Sequence, residues 1–110
     1  MPEMLSFVNN ALKNNYKIIA VPSAKAALNV IKTQKPDLFL LDIDMPEMDG
    51  FELAGIIRST EEFEKTPLVF LTGNSTRDHI TVAMALNCND FIVKPTTYEY
   101  LRTTVGKYLQ

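Results

Sequence analysis

Three polar residues, one acidic, one with a hydroxyl and one basic, each follow a short apolar segment. Asp42 follows the run LFLL, Thr72 follows LVFL and Lys94 follows DFIV. A carboxylate can act as a nucleophile, whereas a hydroxyl and an ammonium can donate hydrogen bonds to an anionic group. Because the carboxyl ends of parallel strands open onto the ligand crevice of an α/β sheet, we expect the three side chains to meet at one site.

A parallel sheet must position these residues, and the pattern of apolar residues predicts one. Continuous or nearly continuous apolar runs predict strands at 17–21, 38–41, 68–71 and 91–93. Apolar residues recurring at three and four predict helices that alternate with these strands, at 4–14, from 24 to about 34, at 51–59, from 76 to 86 and from about 97 onward. This alternation predicts an α/β fold with a doubly wound parallel sheet.

The ends of the predicted helices carry recognisable signals. Ser, Thr and Asp residues accept hydrogen bonds from the first free N–H groups of a helix, which makes them good N-caps. The predicted N-caps are Ser23, Asp49, Ser75 or Thr76, and Thr96 or Thr97. Asn87 is predicted to end the fourth helix in the left-handed conformation, and Phe63 to anchor the polar loop 60–66.

Length, charge and cysteine content describe one ordinary globular domain. The chain has 110 residues, 46% hydrophobic residues and a net charge of −2, so nothing in it predicts binding to nucleic acid or to an acidic membrane. Its single cysteine, Cys88, excludes an internal disulfide and suits a small buried position. No apolar run is long enough to span a membrane, and the start MPEMLSF lacks a signal-peptide pattern. We expect a cytoplasmic protein.

The motifs LLDIDMPEMDG, VFLTG and FIVKP resemble the receiver domain of bacterial two-component response regulators, in particular chemotaxis-regulator-like receivers. The spacing of Asp42, Thr72 and Lys94 fits that family, and the similarity extends over essentially the whole chain. The resemblance implies a flavodoxin-like sheet with strand order 2-1-3-4-5. It also implies that the chain, 1–110, is a single receiver domain truncated at its N-terminus, because the family's first strand has no counterpart here.

The resemblance implies a signalling phosphoprotein rather than a conventional enzyme. Asp42 would accept a phosphoryl group from a histidine kinase or phosphotransfer protein, with self-catalysed phosphorylation and dephosphorylation. Lys94 would pair with Asp42 at rest and with a phosphoryl oxygen afterwards. Thr72 would donate its hydroxyl to the phosphoryl group, and Phe91 would be the aromatic switch residue that follows this movement. Pro95 resembles the family's cis proline.

The resemblance also implies a magnesium ion, but the chain lacks part of the family's metal site. The visible ligands are Asp42 and the backbone carbonyl of Asp44, with the Asp44 carboxylate and Glu3 as further donors. The acidic pair that ends the family's first strand has no counterpart. We therefore expect weak Mg²⁺ binding.

The family's first strand lies inside the sheet, so its absence leaves a gap whose neighbours are the predicted strands 17–21 and 38–41. Buried backbone groups are nearly always paired. Three arrangements satisfy this rule: an upstream segment fills the gap, the two strands close up directly, or another chain supplies the strand. The third arrangement would give a homodimer or a strand-swapped dimer.

Two further functions compete with phosphoacceptance. A pseudo-receiver would be an interaction module that keeps the fold without accepting phosphate, which the missing acidic pair favours. Nucleotide or flavin binding is disfavoured because no glycine-rich phosphate loop follows any strand. Whether the chain is a phosphoacceptor or a pseudo-receiver, we expect a downstream protein to contact the fourth helix, the last strand and the last helix, where Tyr98 and Tyr100 lie.

Overall fold

A computed structural model of the chain describes residues 2–44, 48–73 and 76–109, and the side chains of residues 2–4 lie outside that description. The helices are α1 (Pro2–Leu12), α2 (Ala24–Val30), α3 (Gly50–Ser59), α4 (Arg77–Ala85) and α5 (Tyr98–Gly106), with a short 3₁₀ helix at Glu61–Phe63. The strands are β1 (Phe39–Asp42), β2 (Leu68–Thr72) and β3 (Asp90–Val93). The α/β class and the parallel sheet predicted from the sequence are confirmed.

The three strands form one parallel sheet in the order β1-β2-β3, so β2 lies in the centre. Asp42 is paired in register with Leu71, and Thr72 is paired with Val93. The three strands therefore end at nearly the same level, and the residues that follow them lie along one edge of the sheet.

Side chains alternate between the two faces of the sheet, and each face is covered by helices. One cluster joins the sheet to α2 and α3, and the other joins it to α1 and α5. From the strands, Phe39, Leu41, Leu68 and Phe70 enter the first cluster, whereas Val69, Leu71 and Ile92 enter the second. Every residue of β2 is buried, as a central strand of a doubly wound sheet requires.

The predicted helix caps are formed by side chains in four helices. Ser23, Asp49, Thr76 and Thr97 each accept a hydrogen bond from a backbone N–H in the first turn of the helix that follows. Ser75, the alternative N-cap of α4, lies outside the described residues. Asn87 has φ 56°, which confirms the left-handed end of α4. Phe63 is buried and anchors the loop after α3, also as predicted.

The prediction of a strand at 17–21 was wrong. These residues have no regular secondary structure, and the sheet of the described chain begins at β1. The physical reason is the lack of a neighbour: a strand needs a partner ladder, and a groove separates residues 17–21 from β1. The two segments therefore do not close up directly.

None of the helices in the described ranges combines the length and the apolar character that a membrane crossing requires.

Candidate functional site

Asp42 and Lys94 form an ion pair at the carboxyl edge of the sheet. Asp42 is the last residue of β1, and Lys94 directly follows β3. The Lys94 ammonium donates to both carboxylate oxygens of Asp42, at 3.1 Å to Oδ1 and 3.0 Å to Oδ2. The side chain of Asp42 is 14% exposed and that of Lys94 is 17% exposed, so the ion pair is largely buried but still in contact with solvent. The contact agrees with the expectation that the Asp42 and Lys94 side chains lie close together.

Asp44 completes the polar surroundings of the Asp42 carboxylate. Its backbone N–H donates to Asp42 Oδ1 at 2.9 Å, which fixes the carboxylate orientation from the loop side. The Asp44 carboxylate lies 3.9 Å from Lys94 Nζ and is more than half exposed. The Lys94 ammonium therefore lies close to both carboxylates and offsets part of their negative charge.

Thr72 lies beside this pair, at the end of the central strand. Its side chain is fully buried. The backbone N–H of Lys94 donates to the Thr72 carbonyl at 2.7 Å, so the ends of β2 and β3 are held together where the site begins. The Lys94-Pro95 peptide bond is cis. Gly73 follows Thr72, and an added Cβ there would meet no atom within 4 Å, which leaves open space next to the threonine.

The start of α3 is pressed against the backbone of Asp42. The Gly50 N–H donates to the Ile43 carbonyl at 3.1 Å. A Cβ on Gly50 would lie 2.6 Å from the Asp42 carbonyl oxygen and 2.8 Å from the Ile43 Cα, and both of these are backbone atoms. A glycine is thus required by close approach at this position. Asp49 caps α3 through the Glu52 N–H at 2.9 Å, which agrees with its predicted N-cap role.

Phe91 and His79 are both partly buried and pack against other residues. Phe91 is half-buried on β3, opposite Phe70, and packs against the core cluster of α2 and α3. His79 is partly buried, with its ring centroid 5.5 Å from that of Phe51. Its Nδ1 lies 3.0 Å from Thr76 Oγ1.

The donors for a metal ion are few. Among residues 2–44, 48–73 and 76–109, no three His, Cys, Asp or Glu side chains cluster in a way that could hold one. In those ranges, the carboxylates of Asp42 and Asp44 lie near the edge of the sheet, and the Lys94 ammonium is 3.0 Å from the first and 3.9 Å from the second. The Glu3 side chain lies outside the described residues. Within the described part of the chain, the donor set does not fit a dedicated Mg²⁺ site.

Arg58, near the end of α3, was missed by the sequence analysis. Its guanidinium donates to the backbone carbonyls of Leu86, Phe63, Thr66 and Asn87 at 2.8–3.1 Å. Burial lowers the pKa of Arg58, although guanidinium remains charged near neutral pH. The side chain ties α3 to the turn before β2 and to the turn before β3. No periodicity or motif signals such a role, because four of its five acceptors are main-chain oxygens and the fifth is the side-chain oxygen of Asn89, at 3.4 Å.

The sequence of the chain matches a known protein family and several curated proteins. The response regulator receiver domain family matches residues 1–106 of the chain. A probable cyclic di-GMP phosphodiesterase of Vibrio cholerae is 35% identical over 109 residues, which are 99% of this chain and 25% of that protein. The chain thus spans about a quarter of that relative's length. Histidine kinases are also among its curated relatives.

Solved structures share the fold. The chemotaxis protein CheY4 of Vibrio cholerae superposes with a TM-score of 0.94 at 24% identity, covering 99% of this chain and 92% of that one. The receiver domain of the sensor histidine kinase PA1611 from Pseudomonas aeruginosa gives a TM-score of 0.88 at 22% identity, covering 98% and 89%. The latter holds a magnesium ion in its active site cleft.

Proposed function

Because the chain belongs to the response regulator receiver domain family, we propose that it is a phosphoacceptor in two-component signal transduction, with Asp42 as the residue that is phosphorylated. One observation carries the proposal: the Asp42 carboxylate ends β1 at the edge of the sheet with the Lys94 ammonium 3.0 Å away. This arrangement offers a nucleophile and a fixed positive charge at the same point.

The transfer uses the groups at this edge and a phosphorylated donor. A carboxylate oxygen of Asp42 attacks phosphorus, the oxygen–phosphorus bond forms, and the phosphorus–nitrogen bond of a donor phosphohistidine breaks as the imidazole leaves. Lys94 keeps its proton and moves from the carboxylate to a phosphoryl oxygen. The phosphohistidine belongs to a histidine kinase or phosphotransfer protein, a class consistent with the histidine kinases among the relatives.

The signal then passes to Thr72 and Phe91. The Thr72 hydroxyl donates to the new phosphoryl group, and the space beside Gly73 accommodates the extra oxygens. A movement of Thr72 at the end of the central strand changes the packing next to Phe91, which is half-buried. Mg²⁺ supports phosphoryl transfer in the family by balancing negative charge, but no step here is assigned to it because the donor set does not fit.

Intact-mass spectrometry after incubation with acetyl phosphate tests the proposal. We expect one phosphoryl adduct on the wild-type chain, slower formation in Lys94→Met, and no adduct in Asp42→Asn. Circular dichroism of each variant shows whether the chain is folded. A folded wild-type chain that gains no adduct, with and without added Mg²⁺, would refute phosphoacceptance.

Exposed apolar residues on α4, β3 and α5 form a candidate contact surface for a downstream protein, the output surface. Ile80, Met84, Val93 and Tyr100 are 43%, 64%, 44% and 52% exposed, respectively. Exposed apolar groups of this size are typical of protein contacts. We propose that a downstream protein binds here. Substituting Met84 by Asp should weaken capture of that partner while leaving acetyl phosphate labelling unchanged, and equal loss of both would contradict a separate output surface.

A pseudo-receiver is the second proposal. The lack of a three-donor metal cluster in the described residues favours it, since the fold and the exposed α4–β3–α5 surface would survive without phosphotransfer. It predicts that partner binding is the same for the wild-type chain and for Asp42→Asn. Binding that requires phosphorylated Asp42 would exclude it.

A further inference from the structure

The side chains that pack helix α4 against the domain are concentrated near its carboxyl end. Ala83 is the one buried residue of the helix, and it lies in the last turn. Leu86, which directly follows the helix, is half-buried, and its Cδ2 lies 4.0 Å from the point that a Cβ on Gly55 of α3 would occupy. From residue 77 to residue 82, every side chain except that of His79 is exposed. The apolar contacts of α4 therefore favour its carboxyl end.

Arg58 holds the main chain at the same end of α4. Its Nε donates to the Leu86 carbonyl at 3.1 Å, and its Nη2 donates to the Asn87 carbonyl at 2.8 Å. Its Nη1 donates to the Phe63 and Thr66 carbonyls, in the turn before β2, at 3.0 and 2.8 Å. A guanidinium presents its donors in a rigid planar fork. The end of α4 is therefore bound to a group that the turn before β2 also holds in place.

Asn89 ties the chain after α4 to the central strand. Its side-chain oxygen accepts from the Leu68 N–H at 2.9 Å and from Arg58 Nη2 at 3.4 Å. Its own backbone N–H donates to the Leu68 carbonyl at 2.7 Å. Leu68 is the first residue of β2 and is fully buried. The carboxyl end of α4 is thus fixed to α3 through Arg58 and to the start of β2 through Asn89.

The amino end of α4 lies on the side of the candidate site. Because the chain after α4 lies beside the start of β2, the helix runs back along the sheet, and its amino end is near the edge where β2 ends at Thr72. The half-buried side chain in this part of the helix is that of His79, whose ring centroid lies 5.5 Å from that of Phe51. One ring contact yields more easily than the set of hydrogen bonds at the other end of the helix.

We propose that α4 tilts about its carboxyl end, and that Arg58 fixes this end by holding the main chain at Leu86 and Asn87, the pivot. A displacement that begins at the end of β2 then moves the amino end of α4 while the pivot stays in place. The proposal rests on the proposed phosphoacceptance only for what starts the tilt, because the pivot belongs to the fold itself. Coupling between a site and a surface needs an element that both can bias, and the hinged helix is such an element.

The pivot divides the output surface into a part that moves and a part that stays. At a rise of about 1.5 Å per residue, Ile80 lies about 9 Å along the helix from Leu86, whereas Met84 lies about 3 Å from it. A tilt therefore displaces Ile80 about three times as far as Met84. Ile80 should carry the dependence of partner binding on the state of Asp42, and Met84 should contribute equally in both states.

Hydrogen exchange of the free chain, measured for each amide by NMR, tests the pivot without phosphorylation. The Ile80 N–H donates to the Thr76 carbonyl at 3.0 Å, and the Asn87 N–H donates to the Met84 carbonyl at 3.0 Å. The two hydrogen bonds are equally long, so a difference in exchange reports local opening of the helix. After correction for intrinsic rates, exchange should be roughly tenfold faster at Ile80 than at Asn87, because the amino end opens first.

Replacing Arg58 by methionine should release the pivot. Methionine keeps an apolar stem but has no donor for the carbonyls. Exchange at Asn87 should rise to the rate at Ile80 in Arg58→Met, so that the difference along α4 disappears. Arg77→Met is the matched control, because Arg77 is an exposed arginine at the start of the same helix, and it should leave the difference unchanged. If Arg58→Met fails to fold, the two rates in the wild-type chain decide the matter.

Paired spin labels measure the tilt itself. In a Cys88→Ala background, one label is placed at Lys13→Cys, after α1 on the opposite face of the sheet, and the other at Asp78→Cys or Ala85→Cys on α4. All three labelled positions are exposed. After incubation with acetyl phosphate, the distance between positions 13 and 78 should change and the distance between positions 13 and 85 should stay the same. Neither distance should change when Asp42→Asn is added.

Three results would overturn the proposal. They are equal exchange at Ile80 and Asn87 in the wild-type chain, an unchanged difference between them in a folded Arg58→Met, and equal changes of the two label distances on a chain whose mass shows the phosphoryl adduct. A chain that gains no adduct refutes phosphoacceptance alone, since the exchange measurements judge the pivot independently.

Discussion

Replacing Gly50 by alanine should destabilise the protein, although alanine is normally the better helix residue. The new Cβ would lie 2.6 Å from the Asp42 carbonyl oxygen, 2.8 Å from the Ile43 Cα and 3.0 Å from the Asp42 carbonyl carbon. All three are backbone atoms, so no flexible side chain can move aside. Relief requires α3 and the end of β1 to separate, which also strains the Gly50–Ile43 hydrogen bond.

The size of the effect follows from the cost of overpacking. Forcing extra atoms into a packed contact costs about 1–3 kcal/mol, more than the ~0.5–1 kcal/mol that alanine gains over glycine in a helix. Gly55 is the matched control, because it lies in the same helix and its added Cβ would meet only Leu86 Cδ2 at 4.0 Å. Gly55→Ala should therefore stabilise the chain by up to about 1 kcal/mol.

Urea unfolding followed by far-ultraviolet circular dichroism measures both effects. With an m-value of about 1.5 kcal/mol/M, a loss of ~2 kcal/mol lowers the midpoint by roughly 1.3 M. Gly50→Ala should also slow labelling by acetyl phosphate, because the strain falls on the backbone of Asp42. A Gly50→Ala midpoint at or above that of the wild type would show that the contact between α3 and β1 yields freely, and would refute this reasoning.

Three further predictions concern the hydrogen bonds of Arg58 to four backbone carbonyls (the Arg58 clamp), the pH dependence of stability, and the binding of Mg²⁺. Arg58→Met should lower the unfolding free energy by about 2–4 kcal/mol in urea unfolding, since four carbonyls lose a charged donor; a loss no larger than that of a surface substitution would contradict the clamp. Burial raises the pKa of the Cys88 thiol, and burial with the Asp90 hydrogen bond raises that of Tyr108, so the folded chain holds both protons more tightly than the unfolded chain. This contribution to the free energy of unfolding should be fully present below about pH 9 and should fall as the pH rises further, less steeply in Cys88→Ala and Tyr108→Phe. The same pH dependence of the melting temperature in the wild type and in both variants would exclude this. Calorimetric titration with Mg²⁺ should show weak binding that Asp44→Asn weakens again, and micromolar affinity would be inconsistent with the described donor set.

The sequence predicted most of the sheet because its strands carry their own signals. The runs around Phe39, Val69 and Ile92 are apolar on both faces, which is typical of strands covered by helices on each side. The caps at Ser23 and Asp49 also follow from side-chain chemistry alone. Asp42 and Lys94 were expected to meet because parallel strands end at one edge, and their ion pair agrees with that expectation.

Two features could not be predicted, because they depend on partners distant in sequence. Residues 17–21 have the composition of a strand, but a strand forms only when a neighbour supplies hydrogen bonds, and the groove beside β1 separates the two. The Arg58 clamp gathers carbonyls from two separate turns, and carbonyls carry no sequence signal.

The most direct test of the central claim locates the phosphoryl group on the chain. After labelling with acetyl phosphate, reduction with borohydride converts an aspartyl phosphate into homoserine, and peptide mass spectrometry identifies the converted residue. We predict conversion at Asp42 and none at Asp44, the neighbouring carboxylate 3.9 Å from Lys94 Nζ. Conversion at Asp44, or a phosphoryl group retained on another type of residue, would contradict the assignment of Asp42 as the phosphoacceptor.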